Sequence, residues 1–119
     1  MKLIDDNNGT REYFFNNKGH ELCVVVGYDI SETLSSIDFL TDDDWVLTNL
    51  GLKWLLFVGA KIKHVLEIEQ KYQSKFIFKA FGDVAEKKRE SVYRSLISRF
   101  KISSFFNFEA CMDYKKGLL

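Results

Sequence analysis

The first part of the chain alternates apolar and polar positions in a pattern that predicts antiparallel β-strands. Residues 11–15 form a short aromatic run, and residues 22–28 are rich in β-branched side chains with apolar residues on both faces. The segment between them, 16–19, has the sequence Asn-Asn-Lys-Gly, which tolerates the positive φ angles of a tight turn. These residues therefore predict a hairpin whose second strand is central in a sheet.

A second hairpin is predicted around an acidic turn. Apolar runs at 36–40 and 45–48 flank residues 41–44, which have the sequence Thr-Asp-Asp-Asp. The three aspartates lack the alternating oxygen ligands, the mid-loop glycine and the terminal glutamate of an EF-hand calcium loop. We therefore interpret this segment as a solvated turn and predict no metal site.

The rest of the chain alternates between helical and extended patterns. Apolar residues recur at three- to four-residue spacing over 50–70 and 84–101, which predicts two helices. Short apolar runs at 75–80 and 105–110 predict two further strands. The element order β-β-β-β-α-β-α-β predicts a mixed α/β (α+β) fold, with two main helices packed on a central, mostly antiparallel sheet.

The same spacing identifies a predicted core. It comprises the apolar positions on the inward side of the strongest segments: Phe15, Val24, Val26, Trp54, Phe57, Phe76, Phe78, Val92, Leu96 and Phe108. Arg89 and Tyr93 fall on the inner stripe of the second predicted helix as well. We expect the core side chains to be buried between the sheet and the helices.

The composition is that of one domain over residues 1–119, with frayed ends at about 1–9 and 112–119. The chain has 119 residues, of which 46% are hydrophobic and 15% aromatic, enough to fill a core. Its two cysteines are too few for a disulfide framework, and its longest apolar run, 54–60, is far too short to cross a bilayer. We expect a cytoplasmic domain without membrane association. The sequence leaves open whether the chain forms a homodimer.

The charges are balanced overall but divided unevenly along the chain. Residues 1–49 carry ten acidic and three basic side chains, whereas residues 50–119 carry seven acidic and fourteen basic ones. Two interpretations stay open: the two halves attract each other, or a basic face binds an acidic protein partner. The candidate partner-binding residues lie on the outer side of the second predicted helix and are Lys87, Lys88, Arg94 and Arg99.

Several classes of enzyme are excluded because the chain lacks their arrangements of reactive side chains. It contains no Ser-His-Asp, Cys-His, C-x-x-C or H-E-x-x-H pattern, which argues against hydrolases and metalloenzymes. A nucleic-acid-binding module is disfavoured by the zero net charge and by phenylalanines that alternate as core residues do.

The element order and several segments resemble the GNAT family of N-acetyltransferases, without its first pair of helices. The resemblance covers residues 11–110 by element order and is carried by four segments, 45–51, 76–80, 86–96 and 98–100. The first looks like the strand and loop that enter the cofactor-side helix, and the others look like a late strand and the helix after it. The resemblance points to small GNAT-like proteins of tailed bacteriophages.

The resemblance implies where a cofactor and a catalytic acid would lie. Active members hold the pyrophosphate of acetyl-CoA on backbone N–H groups of a glycine-containing loop at a helix N-terminus. The corresponding residues here are Asn49, Gly51 and Lys53, with a single glycine, so we predict that no cofactor binds. Tyr93 matches a tyrosine that serves such enzymes as general acid, whereas its spacing on the inner stripe indicates packing.

Three functions follow from these observations. The favoured one is a non-catalytic GNAT-like phage accessory or anti-defence protein, which binds a protein partner in the host cytoplasm. The first alternative is a small acyl-CoA-dependent N-acetyltransferase that would use Asn49, Gly51, Lys53 and Tyr93. The second alternative is the nucleic-acid-binding module.

Overall fold

The computed structural model describes most of the chain. The described residues are 1–5, 8–31, 33–43, 50–72, 75–78 and 84–117, and the side chains of 29–31, 84–88 and 114–115 are not part of that description.

The described residues form a mixed α/β fold with five strands, three α-helices and one short 3-10 turn. In chain order these are β1 (Lys2–Asp5), β2 (Thr10–Asn17), β3 (His20–Ser31), β4 (Leu34–Thr41), α1 (Gly51–Glu69), β5 (Lys75–Phe78), α2 (Val84–Phe100), the 3-10 turn (Ser103–Phe105) and α3 (Phe108–Lys115). Within these ranges, no helix combines the length and the apolar character that crossing a bilayer requires.

All five strands belong to one sheet, whose order follows the sequence. Strands β1 to β4 run antiparallel to their neighbours, and α1 carries the chain back so that β5 pairs with β4 in parallel. The described pairing of β4 with β5 ends at Ile37 and Phe78, although β4 itself continues to Thr41. The last residues of β4 therefore lie beyond the described part of β5.

The turn between β2 and β3 confirms the first predicted hairpin. Asn17 pairs with His20, and the two residues between them, Lys18 and Gly19, have φ angles of 50° and 82°. Two successive positive φ values define a type I′ turn, whose twist matches that of the flanking strands.

Helices α1 and α2 cover one face of the sheet. The strand residues that point to this face form most of the main core: Tyr13, Phe15, Leu22, Val24, Val26, Ile37, Phe39, Phe76 and Phe78. The indole of Trp54 on α1 donates a 2.9 Å hydrogen bond to the Thr41 hydroxyl of β4. The two helices approach closely at Gly59, where an added Cβ would lie 2.1 Å from the Phe100 ring. A larger residue at this position would have to displace the Phe100 ring or move the helices.

Helix α3 packs on the opposite face of the sheet. Its Ala110 and Cys111 form a small apolar cluster with Leu34 of β4 and Ile77 of β5. Just before α3, Phe106 makes an isolated parallel bridge with the β5 edge. The end of the chain therefore passes around β5, from the side of α2 to the side of α3.

The predicted strand over 105–110 is wrong. A 3-10 turn ends at Phe105, a helix begins at Phe108, and the residue between them that pairs with β5 is Phe106. Phe108 was predicted in the core but is 43% exposed, whereas Phe106 is buried. A helix here can bury Ala110 and Cys111 against the sheet, which a strand would have placed on opposite faces.

The other predicted elements and core residues agree with the structure more closely. Phe57 and Val92 are half-buried against the main core, and the remaining predicted core residues apart from Phe108 are buried. Where the sequence predicted frayed ends, β1 pairs with β2 and α3 continues to Lys115. The predicted strand at 45–48 and the end of the predicted strand 75–80 lie outside the described residues.

Candidate functional site

The inward side of α2 carries a buried arginine that binds the end of β4. The Nη2 atom of Arg89 donates hydrogen bonds to Oδ1 of Asp38 at 2.6 Å and to the carbonyl oxygen of Phe39 at 3.2 Å. Both acceptors lie past the last described pair between β4 and β5. The guanidinium therefore binds β4 beyond the last residue of β4 that pairs with the described part of β5. Its hydrogen bonds help to satisfy buried polar groups of β4.

Tyr93, one turn along α2, lies in the same cluster. Its hydroxyl oxygen accepts a 2.7 Å hydrogen bond from Arg89. Its ring stacks on Phe78 with centroids 4.1 Å apart and meets Phe39 edge to face. The residue is 1% exposed, so the structure places this candidate acid inside the aromatic core rather than at an open surface.

Two of the three predicted cofactor-binding residues lie together at the start of α1. Gly51 is the first residue of the helix and has a φ angle of 82°, and Lys53 is exposed in the first turn. The residue before the helix, Leu50, makes no side-chain capping bond. Asn49 lies outside the described residues.

The two members of the predicted basic face of α2 whose side chains are described line different clefts. Arg94 and Arg99 are both exposed, but Arg94 faces α3, whereas Arg99 lines a cleft between α1 and α2. Arg94 also donates hydrogen bonds of 3.0 and 3.2 Å to Glu90 one turn earlier. Lys87 and Lys88 belong to α2, but their side chains are outside the described part of the structure.

A second cation, Lys101, joins Arg94 on the side of α3. Lys101 follows the last residue of α2 and has a φ angle of 55°, in the left-handed region. The N–H group of Ile102 donates a 3.1 Å hydrogen bond to the carbonyl of Ile97, five residues earlier. This is the 6→1 hydrogen bond of a Schellman motif. Glycine is the usual residue at this position because a Cβ is disfavoured there.

Arg94 and Lys101 border a groove between α2 and α3, which we call the α2–α3 groove. It consists of two adjoining cavities of about 440 and 250 Å³ that share Arg94, Ile97 and Phe108. The larger cavity is basic and is also lined by Ser98, Lys101 and Ser103. The smaller one is mostly apolar, and its remaining lining residues are Phe78, Glu90, Tyr93, Cys111 and Met112.

A separate polar cluster fastens the end of α1 to the sheet. The fully buried carboxylate of Glu69 accepts a 2.7 Å hydrogen bond from Nε of Arg11 and another bond from the Tyr13 hydroxyl. The Arg11 guanidinium also lies 4.3 and 4.8 Å from the ring centroids of Tyr28 and Tyr72. Burial, and then the bond to Glu69, raises the pKa of the Tyr13 phenol. These groups satisfy one another, so the cluster holds the fold together.

Neither cysteine is prepared for nucleophilic chemistry. Burial raises the pKa of the Cys23 thiol to about 12, and burial raises the pKa of Cys111 as well. A thiol needs a lowered pKa to attack at neutral pH. Within the part of the chain that the structure describes, no group of three or more His, Cys, Asp or Glu side chains could hold a metal ion.

The sequence patterns missed the contribution of Lys101, Phe108 and Met112 to one surface. Lys101 belonged to the end of the predicted helix, and Phe108 to a predicted strand. The signal that could have found them is the helical spacing of Phe108, Cys111 and Met112, which gives α3 one buried and one exposed apolar side.

Comparisons with known proteins do not add a family to this geometry. The chain matched no protein-family model, no curated protein and no solved structure. The resemblance to the GNAT family therefore stays a prediction from the sequence.

Proposed function

We propose that this chain acts without catalysis of its own, by binding an acidic protein partner at the surface around Arg94 and Lys101. The observation that carries the proposal is the basic cavity of the α2–α3 groove, whose described lining residues include these two cations and no carboxylate. Within the described chain, Lys101 makes no ion pair, and the exposed pair of Arg94 with Glu90 is worth only about 0.3–0.5 kcal/mol. Both cations can therefore exchange their surroundings for the carboxylates of a partner at little cost.

The environment of Tyr93 supports a non-catalytic role. A general acid must come within hydrogen-bond reach of the group that it protonates. The Tyr93 hydroxyl is buried between aromatic rings and bonded to Arg89, and exposing it would disrupt the anchor between α2 and β4.

The biological setting belongs to the same proposal and depends on the resemblance of the sequence. We place the chain among small GNAT-like accessory or anti-defence proteins of tailed phages, acting in the host cytoplasm. A protein with this role inhibits or redirects a host component by occupying its surface, so partner binding would be its whole activity.

Affinity capture with charge-reversed variants tests the proposal. The full chain, Arg94→Glu/Lys101→Glu and the matched control Lys63→Glu/Lys71→Glu are each immobilised in a lysate of the cells in which the protein acts. Lys63 and Lys71 are exposed on and just after α1, so the control changes the net charge equally. We expect a protein that the wild type and the control retain and that the Arg94/Lys101 variant loses; equal retention by all three would contradict the proposal.

Acetyl-CoA provides the test of the enzymatic alternative. A ligand at a hundred times its dissociation constant stabilises the folded state by about 2.7 kcal/mol, which raises the Tm of a small domain by many degrees. We expect no change in Tm with acetyl-CoA or CoA. A clear rise that disappears in Lys53→Ala would show that the start of α1 binds the cofactor and would overturn the non-catalytic function.

A further inference from the structure

We infer that the α2–α3 groove seats a short acidic segment of the partner protein, with one large apolar side chain inserted between α2 and α3. The inference rests on the proposed function and specifies how the partner is recognised. It assigns the basic cavity to carboxylates and the apolar cavity to an anchoring side chain.

The charge of the larger cavity selects the polar part of the segment. Arg94 and Lys101 border it, and Ser98 and Ser103 contribute hydroxyl groups that can donate hydrogen bonds. A guanidinium can bind a carboxylate through two parallel hydrogen bonds, which fixes the orientation of the bound segment. Aspartate and glutamate side chains therefore complement this cavity.

The smaller cavity selects the apolar part of the segment. Its volume of about 250 Å³ is below the roughly 300–1,000 Å³ of small-molecule pockets, so it fits a single side chain better than a metabolite. Phe108 and Met112 border it and are each 43% exposed, which leaves apolar surface that a partner would cover. Binding energy at protein interfaces concentrates in such anchors, where a large side chain fills a pocket and water is excluded.

The backbone at Lys101 provides an independent reason to assign this groove a role. A non-glycine residue in the left-handed region is disfavoured, and such residues cluster where a protein binds its ligands. Glycine would close α2 with less strain, but it would leave the basic cavity with Arg94 as its one cation among the described lining residues. A lysine at this position thus lowers the stability of the helix end and supplies a cation to the basic cavity.

The two cavities have lining residues in common, which constrains the spacing between the polar and the apolar part of the segment. They share Arg94, Ile97 and Phe108, so the cation at the junction lies beside both the basic and the apolar part. An acidic residue next to the anchor would therefore reach Arg94 while the anchor enters between the helices. A nucleic-acid duplex would match the charges, but its bases are paired and stacked and so are not presented to the apolar cavity.

Selection from a displayed library of random peptides, each about ten residues long, tests the inference with a defined probe. The full chain serves as bait, and peptides that bind the support in the absence of the protein are removed. We expect the selected peptides to combine several Asp or Glu residues with one Phe, Trp, Leu or Met. A selected pool that is basic, or acidic without an apolar residue, would overturn the inference.

Two tryptophan variants separate insertion into the groove from charge attraction. Ser98 lines the basic cavity, whereas Ser95, also exposed on α2, lines the cleft on the side of α1. We expect Ser98→Trp to weaken the best selected peptide at least about tenfold and Ser95→Trp to leave its affinity unchanged, both with wild-type Tm. Phe108→Ser should weaken the peptide similarly.

The outcomes distinguish the two proposals. If charge reversal abolishes binding and neither Ser98→Trp nor Phe108→Ser affects it, the partner-binding function stands and the inserted anchor is wrong. If charge reversal and Ser98→Trp both leave peptide binding unchanged, and charge reversal also leaves capture from the lysate unchanged, both proposals fail. A duplex DNA oligonucleotide that binds as tightly as the peptide and competes with it would overturn the assignment to a protein segment.

Discussion

Two arginines on helix α2 occupy opposite environments and illustrate how one helix combines stability with binding. The side chain of Arg89 is 9% exposed and is bonded to the edge of β4, whereas that of Arg94 is 61% exposed at the α2–α3 groove. Arg89 donates hydrogen bonds to Asp38, to the Phe39 carbonyl and to Tyr93. Arg94 forms an exposed ion pair with Glu90 of its own helix.

The difference shows that the same charge has different consequences on the two sides of the helix. On the inward side, the guanidinium and Asp38 have given up most of their water, so water would replace a broken ion pair only poorly. On the outward side, water and salt screen the charge, so its loss costs the fold little but removes a contact for an acidic partner.

Removing Arg89 gives the largest expected effect. Arg89→Met should lower the free energy of unfolding by about 3–5 kcal/mol, because it breaks a largely buried ion pair and removes the bonds to the Phe39 carbonyl and the Tyr93 hydroxyl. The matched change on the outward side, Arg94→Met, should alter it by less than about 0.5 kcal/mol. Urea unfolding of the two variants measures both values, and equal losses would contradict the comparison.

Adding one methyl group at Gly59 gives the next largest effect. The new Cβ would lie 2.1 Å from the Phe100 ring, so Gly59→Ala should lower the free energy of unfolding by about 1–3 kcal/mol despite the better helix propensity of alanine. In a background of Phe100→Ala the same change should cost much less, because the ring that it meets is gone. The four unfolding curves of this cycle test the inward packing of α2, and additive losses would show that the clash is not the cause.

Tyr93→Phe should have a smaller effect. It removes the hydroxyl that accepts from Arg89 and keeps both aromatic contacts, so we expect a loss of about 0.5–1.5 kcal/mol. Tyr93 also lines the apolar cavity, but phenylalanine keeps its ring, so the affinity for selected peptides should change by less than about twofold. Fluorescence polarisation with a labelled peptide measures this, and a large loss of affinity without loss of stability would assign Tyr93 a direct role.

Lys101→Gly should separate stability from binding most clearly, with the smallest effect on the fold. Glycine relieves the left-handed backbone at the end of α2, so we expect the free energy of unfolding to rise by up to about 1 kcal/mol. Peptide affinity should fall because the basic cavity loses one of its two cations. A variant that loses stability and retains its affinity would contradict both expectations.

Local patterns in the sequence predicted most of the sheet and both long helices. Strands β2 to β4 and helices α1 and α2 each extend over several periods of apolar residues, so the spacing alone defines them. The segment 105–110 is too short for this, and its structure is decided by the packing of Ala110 and Cys111 on the far face of the sheet. Such a contact with distant residues leaves no periodic signal in the sequence.

The candidate site was predicted less completely because it depends on long-range contacts. The sequence placed Arg89 on the inner stripe of α2 but gave no partner, since Asp38 is 51 positions away. It grouped Arg94 with Arg99, whereas Arg99 lines the cleft between α1 and α2 and Arg94 lines the groove toward α3. Lys101 adopts a left-handed backbone where the chain leaves α2. Single-residue preferences favour glycine at such a position, so they do not predict a lysine there.

The most direct test of the account is the affinity of a selected acidic peptide for the wild type and for Arg94→Glu/Lys101→Glu, measured over a range of salt concentrations together with Tm. We expect the wild type to bind less tightly as salt increases, and the variant to bind at least about tenfold more weakly with little salt dependence. The Tm of the variant should fall by only a few degrees, because it loses the Arg94–Glu90 pair and places a second carboxylate one turn from Glu90. A variant that binds as tightly as the wild type, with the same salt dependence, would show that the outward side of α2 does not bind the partner.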